Sequence, residues 1–457
     1  MNDVKKIQIE YVELINSYFG GIKHHLGQSL DSHIDFGYNM AKYPLISDLI
    51  LDAIDDLGDE INTFWSKYTK NIFDFCNQES TLKCLYSGDI TPVILENFVK
   101  KSALYLDTVI IADPILNLTF MQKNLIDDKK YYLNKLLRHV FNIFKMKEIL
   151  TSKSDENIIW VLPTTIQMVD ENDKKILFGH ANSNFVIYFN TLFGQNFQDI
   201  KECFGFAEQL TNSDQILAIV KNIECLPNEF KDKNRLSIFL DKFRMPEGSI
   251  NAPDKSFGWD FCLYIHSQFI RVQEHKYFCE RINAEPIYDY ELPWFWFNYE
   301  VGGLNMDAAI ANSLQQDQFK WITKVPLEAI NVFREENKLE YMRSLLRNSL
   351  HDIKTRKDDV SLSHTCEQIE KNLNEAFKRQ QEEIIELEFA VKEIVKKEIP
   401  ITTGGCLAGL IPVLGNIISF LSAGRDIKNH LEKRKKAKFE IDYRKNNFIN
   451  LLFKSYE

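Results

Sequence analysis

Asp260, Glu274 and Lys276 form the pattern in this sequence that is most similar to a catalytic one. They lie in the segment WDFCLYIHSQFIRVQEHK, residues 259–276. An aspartate followed by Glu-x-Lys on adjacent strands can hold a divalent metal ion while the lysine orients a water for phosphodiester attack. The apolar run CLYIHSQFIRV would supply such strands. This pattern predicts a nuclease with Mg²⁺ or Mn²⁺, and a surface ion pair is the simpler alternative.

Arg343, Arg347 and His351 form a second candidate set on one helical face, in the segment MRSLLRNSLHDIK. The set resembles the arrangement in helical ribonucleases of the HEPN type, where arginine and histidine activate the 2′-hydroxyl and stabilise the phosphate. Only three residues separate Arg347 from His351, which is fewer than the family pattern has. A structural helix face is therefore the favoured interpretation.

Other catalytic and metal-binding motifs are absent from the sequence. It contains no GxxxxGK[ST], GxGxxG, HExxH or GxSxG, and its eight cysteines form no CxxC pair. We therefore predict no cofactor, and a metal ion only if the nuclease hypothesis holds. Asp107 and Asp113 flank an apolar run, where carboxylates either bind a metal or form turns and caps; the second role is favoured.

An aromatic segment, YDYELPWFWFNYE at residues 288–300, holds seven aromatic side chains. Such a cluster either packs into a core or forms a partner-binding surface. Acidic neighbours and the absence of adjacent lysine or arginine disfavour stacking on nucleic acid. For the surface alternative, the predicted binding residues are Tyr290, Trp294, Trp296 and Tyr299.

The longest uncharged stretch, ITTGGCLAGLIPVLGNIISFLSAG at residues 401–424, has the length of a membrane span. Pro412 and several glycines divide it, which favours a hairpin of two short helices buried against the preceding long helix. Seven basic residues in 425–438 leave two alternatives, a membrane-responsive segment and a constitutive span. The residues expected to contact lipid in those alternatives are Leu407, Leu410, Ile411, Leu414, Ile417, Ile418 and Phe420.

The elements that position these residues follow from hydrophobic periodicity. We predict a predominantly helical α+β protein with a helical region at 1–103, a mixed α/β domain at 104–303 and a helical region at 304–457. Strands are expected at 108–111 and 157–163, and FVIYF at 185–189 fits a strand or a helix. A helix that is broken or kinked near Gly58 is expected, with Asp199 and Ser213 as early-turn or cap residues of later helices. A long amphipathic helix is expected between Cys366 and Pro400.

Composition bounds the class of protein. The chain has 457 residues, of which 45% are hydrophobic, and this predicts a multidomain globular protein. Its net charge of −10 disfavours a nucleic-acid coat. The start, MNDVKKIQIEYVELI, has no apolar signal region, and the cysteines are expected to be reduced thiols. The expected location is therefore cytoplasmic, with the inner-membrane periphery as the alternative.

Two segments resemble uncharacterised bacterial proteins of the kind found near phage-defence genes. They are LYLDTVIIADPILNL with YYLNKLLRHVFNIF, and the C-terminal GGCLAGLIPVLGNIISFLSAGRDIKNHLEKRKK. The resemblance implies a bacterial, defensive setting and no active residues. We thus expect a defence-associated interaction, sensor or scaffold protein with protein partners, either further copies of itself or products of neighbouring genes. A metal-dependent nuclease and a membrane-acting effector are the alternatives, and enzymatic activity is left open.

Overall fold

A computed structural model of the chain describes residues 2–26, 44–88, 98–122, 129–150, 158–226, 230–244, 256–288, 293–297, 305–324, 339–348 and 365–375, with residues 330, 334, 378 and 382. The chain forms two compact units. The larger comprises residues 1–312 with 360–362, and the smaller comprises residues 313–359 with 363–457.

The larger unit holds a small sheet among many helices. Its elements are α1 (Asn2–Leu26), α2 (Pro44–Gln78), β1 (Lys83–Ser87), β2 (Thr108–Ala112), α3 (Pro114–Gln122), α4 (Lys129–Leu150), β3 (Ile159–Leu162), α5 (Glu171–Phe193), α6 (Ile200–Ala207), α7 (Ser213–Ile219), α8 (Lys233–Arg244), α9 (Phe257–Ile282) and β4 (Glu285–Tyr288). Helix α10 (Met306–Leu314) follows. The predicted class, predominantly helical α+β, is confirmed.

The four described strands form one parallel sheet in the order β3-β2-β1-β4. All four residues of β3, Ile-Trp-Val-Leu, are buried, as are the first four of β2. Strands of a parallel sheet are covered on both faces, which is why they consist of continuous apolar runs. The strands predicted at 108–111 and 157–163 are confirmed. The region predicted to be helical, 1–103, in fact contributes β1.

Helix α1 covers one edge of the sheet, at strand β3. The amide of Gln8 donates from Nε2 to the carbonyl oxygen of Val161 at 3.0 Å and accepts from the Val161 N–H at 2.7 Å. A side chain thus makes the two hydrogen bonds that another strand would make with β3. Because open edges invite pairing with other chains, this helix protects the β3 edge from edge-to-edge association.

Asp113 joins three helices at the end of β2. Its carboxylate accepts hydrogen bonds from the Tyr11 hydroxyl at 2.7 Å and the Trp65 indole at 2.6 Å. It also accepts from the backbone N–H groups of Ile115 and Leu116, which begin α3. The two backbone contacts are those of an N-cap, so the predicted capping role is confirmed. The other two contacts attach helices α1 and α2 to the same carboxylate.

Three further predictions have clear outcomes. Helix α2 runs continuously past Gly58, where an added Cβ would lie 3.2 Å from Thr119, so this glycine permits close packing. The segment 185–189 belongs to helix α5. Asp199 caps α6, and Ser213 lies in the first turn of α7, so both residues have one of their predicted roles; the cap of α7 is Asn212, whose side chain accepts from the Gln215 N–H.

The smaller unit is helical where it is described. It contains the end of α10, a 3-10 helix at Asp317–Lys324, α11 (Leu339–Asn348) and a helical segment at 365–375. The last of these begins the long amphipathic helix predicted before Pro400; the remainder of that prediction lies outside the described residues. Buried Cys366 donates weakly from Sγ to the Ser313 carbonyl oxygen at 3.8 Å.

Candidate functional site

The order of the strands identifies the edge of the sheet where a ligand would fit. The chain moves outward in one direction from β1 to β2 to β3, and then adds β4 on the other side of β1. Ligands of open parallel sheets bind outside the carboxyl ends of the strands, at the point where the order reverses. Here that point lies between the ends of β1 and β4, at Ser87 and Tyr288.

Helix α9 packs across this point. Arg271 donates from Nε to the Ser87 hydroxyl at 2.9 Å and from Nη2 to the Ser87 carbonyl oxygen. One turn later, His275 Nε2 lies 2.9 Å from the Leu85 carbonyl oxygen. From Arg271 to His275 the helix advances four residues, while its contacts move back two residues along β1, from Ser87 to Leu85; both steps span about 6 Å. Helix α9 therefore runs antiparallel to β1. Arg271 therefore lies at the carboxyl edge, and residues before it extend beyond the sheet.

Glu274 lies between Arg271 and the segment that follows β3. Its side chain is partly buried. Desolvation raises the pKa of Glu274 to about 7, whereas a hydrogen bond from the Ile166 backbone N–H and the charge of Arg271 act in the opposite direction. A carboxyl group with a pKa near neutrality is suited to exchange protons under physiological conditions.

His275 attaches helix α9 to strand β1 next to Arg271 and Glu274. Its ring is buried and lies 5.1 Å, between centroids, from the ring of Tyr288. Burial, together with the charge of Arg271, lowers the pKa of His275 to about 3. The ring is therefore neutral, and its Nε2–H donates to Leu85. This histidine positions α9 on the sheet.

The structure does not assemble the predicted nuclease residues into one site. Asp260, Glu274 and Lys276 all lie on helix α9, so the strands expected there are wrong. Glu274 follows Asp260 by fourteen positions on the helix, about 21 Å along the axis, which is too far for one metal ion. Among the residues that the structure describes, no group of three or more His, Cys, Asp or Glu is placed to hold a metal.

The structure describes only part of the aromatic segment, and that part lies in the core. Trp294 and Trp296 are buried, at 2% and 0% exposure. Trp296 contacts Tyr188 and Phe269, with ring centroids 5.8 Å and 5.5 Å away. These two tryptophans therefore pack into the core of the larger unit and not on a partner surface. Tyr290 and Tyr299 lie outside the described residues.

The other predicted residues have limited outcomes. Arg343 is buried on α11 and pairs with Glu340, while His351 lies outside the described residues. The seven residues expected to contact lipid, and the whole of 401–424, also lie outside them. None of the helices that the structure describes has the length and hydrophobicity needed to span a membrane. Lipid contact and cytoplasmic location stay predictions.

Ser87 and Arg271 were not recognised from the sequence. The sequence pattern favours a strand for the segment that contains Arg271, and no motif connects this residue to a serine 184 residues earlier. Arg271, Glu274 and His275 are spaced at i, i+3 and i+4, which places them on one side of a helix. This spacing is the feature of the sequence that could have indicated the site.

Comparison with known proteins adds no relative. No protein-family model, no curated protein and no solved structure matches this chain.

Proposed function

We propose that the larger unit binds a small anionic metabolite at the carboxyl ends of β1 and β4, and that Glu274 exchanges a proton with it. The observation that carries this proposal is the attachment of Arg271 to Ser87 at the reversal of strand order. This is the position at which parallel sheets bind ligands.

Arg271 supplies the charge that attracts the ligand. Guanidinium groups stay protonated and suit phosphate and carboxylate groups. The two hydrogen bonds to Ser87 hold this cation in one orientation, which reduces the entropy lost on binding. An anion at this edge would lie near the guanidinium of Arg271, itself fixed to the end of β1.

Glu274 supplies the proton chemistry. Because the pKa of Glu274 is about 7, both its neutral and its ionised forms are populated at physiological pH. Its neutral form donates a proton to an anionic ligand, and its ionised form accepts one. Ionisation also places a negative charge beside the ligand, so affinity should fall as pH rises through about 7.

A thermal-shift screen tests the proposal. Phosphorylated and carboxylated metabolites are tested against wild type, Glu274→Gln, and Glu280→Gln as a control, since Glu280 is exposed on the same helix. We expect a stabilising compound whose affinity falls between pH 6 and 8 for wild type and Glu280→Gln, but not for Glu274→Gln. The proposal fails if no compound stabilises the protein, or if all three proteins show the same pH dependence.

A second candidate function is the protein–protein interaction expected in a defence system. Ile176 and Ile187 are each 57% exposed on α5. They are eleven residues apart, about three turns, and so lie on one helix face. These two large apolar side chains give the second candidate function a specific surface to test. Co-purification with products of neighbouring genes should be lost in the Ile176→Ser, Ile187→Ser double variant; retained co-purification would exclude this face.

A further inference from the structure

Two buried polar atoms near the candidate site have no hydrogen-bond partner among the described residues. They are Oγ1 of Thr164 and Oε1 of Gln268. Thr164 is 6% exposed and Gln268 is 9% exposed. Burial of an unpaired hydroxyl or amide is unfavourable, so folded proteins rarely retain one without a reason.

Thr164 borders Glu274 through a short connection. It follows β3 by two residues, and its N–H donates to the Leu162 carbonyl oxygen at 2.8 Å. Two residues later, the Ile166 backbone is hydrogen-bonded to Glu274. Thr164 thus lies at the carboxyl edge of the sheet, in the segment that contacts the titrating carboxyl group.

Gln268 lies at the same edge on helix α9. It precedes His275 by seven residues, which places both on nearly the same helix face and about 10 Å apart along the axis. His275 lies over Leu85, and β1 ends two residues later at Ser87. Because α9 is antiparallel to β1, Gln268 projects past the end of that strand.

Packing alone does not explain these two residues. Trp160 and Trp296 also bury an indole Nε1 that has no partner within the described part of the chain, but their large rings account for their burial. A threonine hydroxyl and a glutamine amide add little apolar surface. By contrast, the buried carboxylate of Asp113 at the same edge accepts four hydrogen bonds.

We propose that Thr164 and Gln268 recognise hydroxyl groups of the ligand, and that this ligand is a hydroxyl-bearing phosphate ester, such as a sugar phosphate or a nucleotide. This inference rests on the proposed function, in which Arg271 binds the anionic group. The hydroxyl and the amide then pair with the neutral part of the ligand. In the ligand-free protein the two groups lower stability, and ligand binding recovers it.

The variants Thr164→Val and Gln268→Leu test the inference, with Thr164→Ser as a matched control that keeps the hydroxyl. Without ligand, removal of each unpaired group should leave the Tm unchanged or raise it by about 2 °C. In calorimetry, wild type should bind ribose 5-phosphate and adenosine monophosphate, or one of them, more tightly than inorganic phosphate. Thr164→Val and Gln268→Leu should weaken organic-phosphate binding about tenfold and leave phosphate binding unchanged.

Other results would overturn the inference. They are a lower Tm for Thr164→Val without ligand, equal affinity for phosphate and both organic phosphates, unchanged affinity in both variants, or no binding of any phosphate probe. The proposed function fails separately, when no anionic compound of the wider metabolite screen binds. A dicarboxylate that binds in a Glu274-dependent manner would keep the proposed function and exclude a phosphate ester.

Discussion

Replacement of Glu274 by glutamine should make the protein relatively more stable as pH rises. The neutral amide has nearly the shape of the protonated carboxyl group, but it cannot ionise. Wild-type Glu274 titrates near pH 7 when folded and near 4.5 when unfolded. The unfolded chain therefore releases the proton first, and the wild type loses stability between about pH 4.5 and 7.

The expected magnitude follows from this difference in pKa. At about 1.4 kcal/mol per pH unit, a rise in the pKa from 4.5 to about 7 corresponds to about 3.5 kcal/mol. His275 acts in the opposite direction, because the pKa of His275 falls from 6.5 to about 3 and its stability contribution is lost as pH decreases through that range. The difference between variant and wild type cancels the histidine contribution and isolates Glu274.

Urea unfolding at pH 5, 6, 7 and 8 measures this difference. Five of the six tryptophans lie in the larger unit, so fluorescence reports mainly on its unfolding. The stability of Glu274→Gln relative to wild type should increase by about 2–3 kcal/mol from pH 5 to pH 8. Parallel pH curves for the two proteins would refute the assigned environment of Glu274.

Further substitutions test the packing around the site. Gly258→Ala should lower the free energy of unfolding by more than about 2 kcal/mol, because its Cβ would lie 2.1 Å from the last carbonyl oxygen of α6. Gly205→Ala, in open space on a helix, should raise it by about 0.5–1 kcal/mol, and equal urea midpoints for the two variants would contradict the close approach. Asp113→Ala should cost about 3 kcal/mol by leaving buried donors unpaired, whereas exposed Asp59→Ala should change urea stability by less than about 0.5 kcal/mol. Trp296→Ala should lower the free energy of unfolding by about 3–5 kcal/mol, because it leaves a cavity in the core. A Tm equal to that of wild type in a thermal scan would contradict the burial of this side chain.

The strands could be predicted from the sequence only where they are continuous apolar runs. β2 and β3 are such runs, since both faces of the sheet are covered. β1 is not such a run, because it begins with a charged residue, Lys83. This lysine is nevertheless 1% exposed, and its ammonium group donates to the carbonyl oxygens of Glu79 and Thr81. β4 contains Pro286, which an edge strand tolerates and which sequence patterns interpret as a break.

The candidate site could not be predicted because its helix lacks a clear hydrophobic stripe. Helix α9 packs against α5, α6, β1 and β4, and so buries residues around most of its circumference. Its apolar residues therefore do not follow a helical period, and the segment resembled strands. Glu274 was recognised as a candidate from its residue type, but its partner Arg271 and the contact with Ser87 depend on the order of strands.

The distance along the chain between β1 and β4 has a consequence for synthesis on the ribosome. Cys84 of β1 pairs with Glu285 of β4, about 200 residues later. At about 5–20 residues per second, translation needs roughly 10–40 s to produce that partner. Until then the nascent sheet presents one side of β1 as an open edge, although Gln8 can already close the opposite side at β3. Chaperone binding during synthesis should therefore concentrate on chains that end before β4.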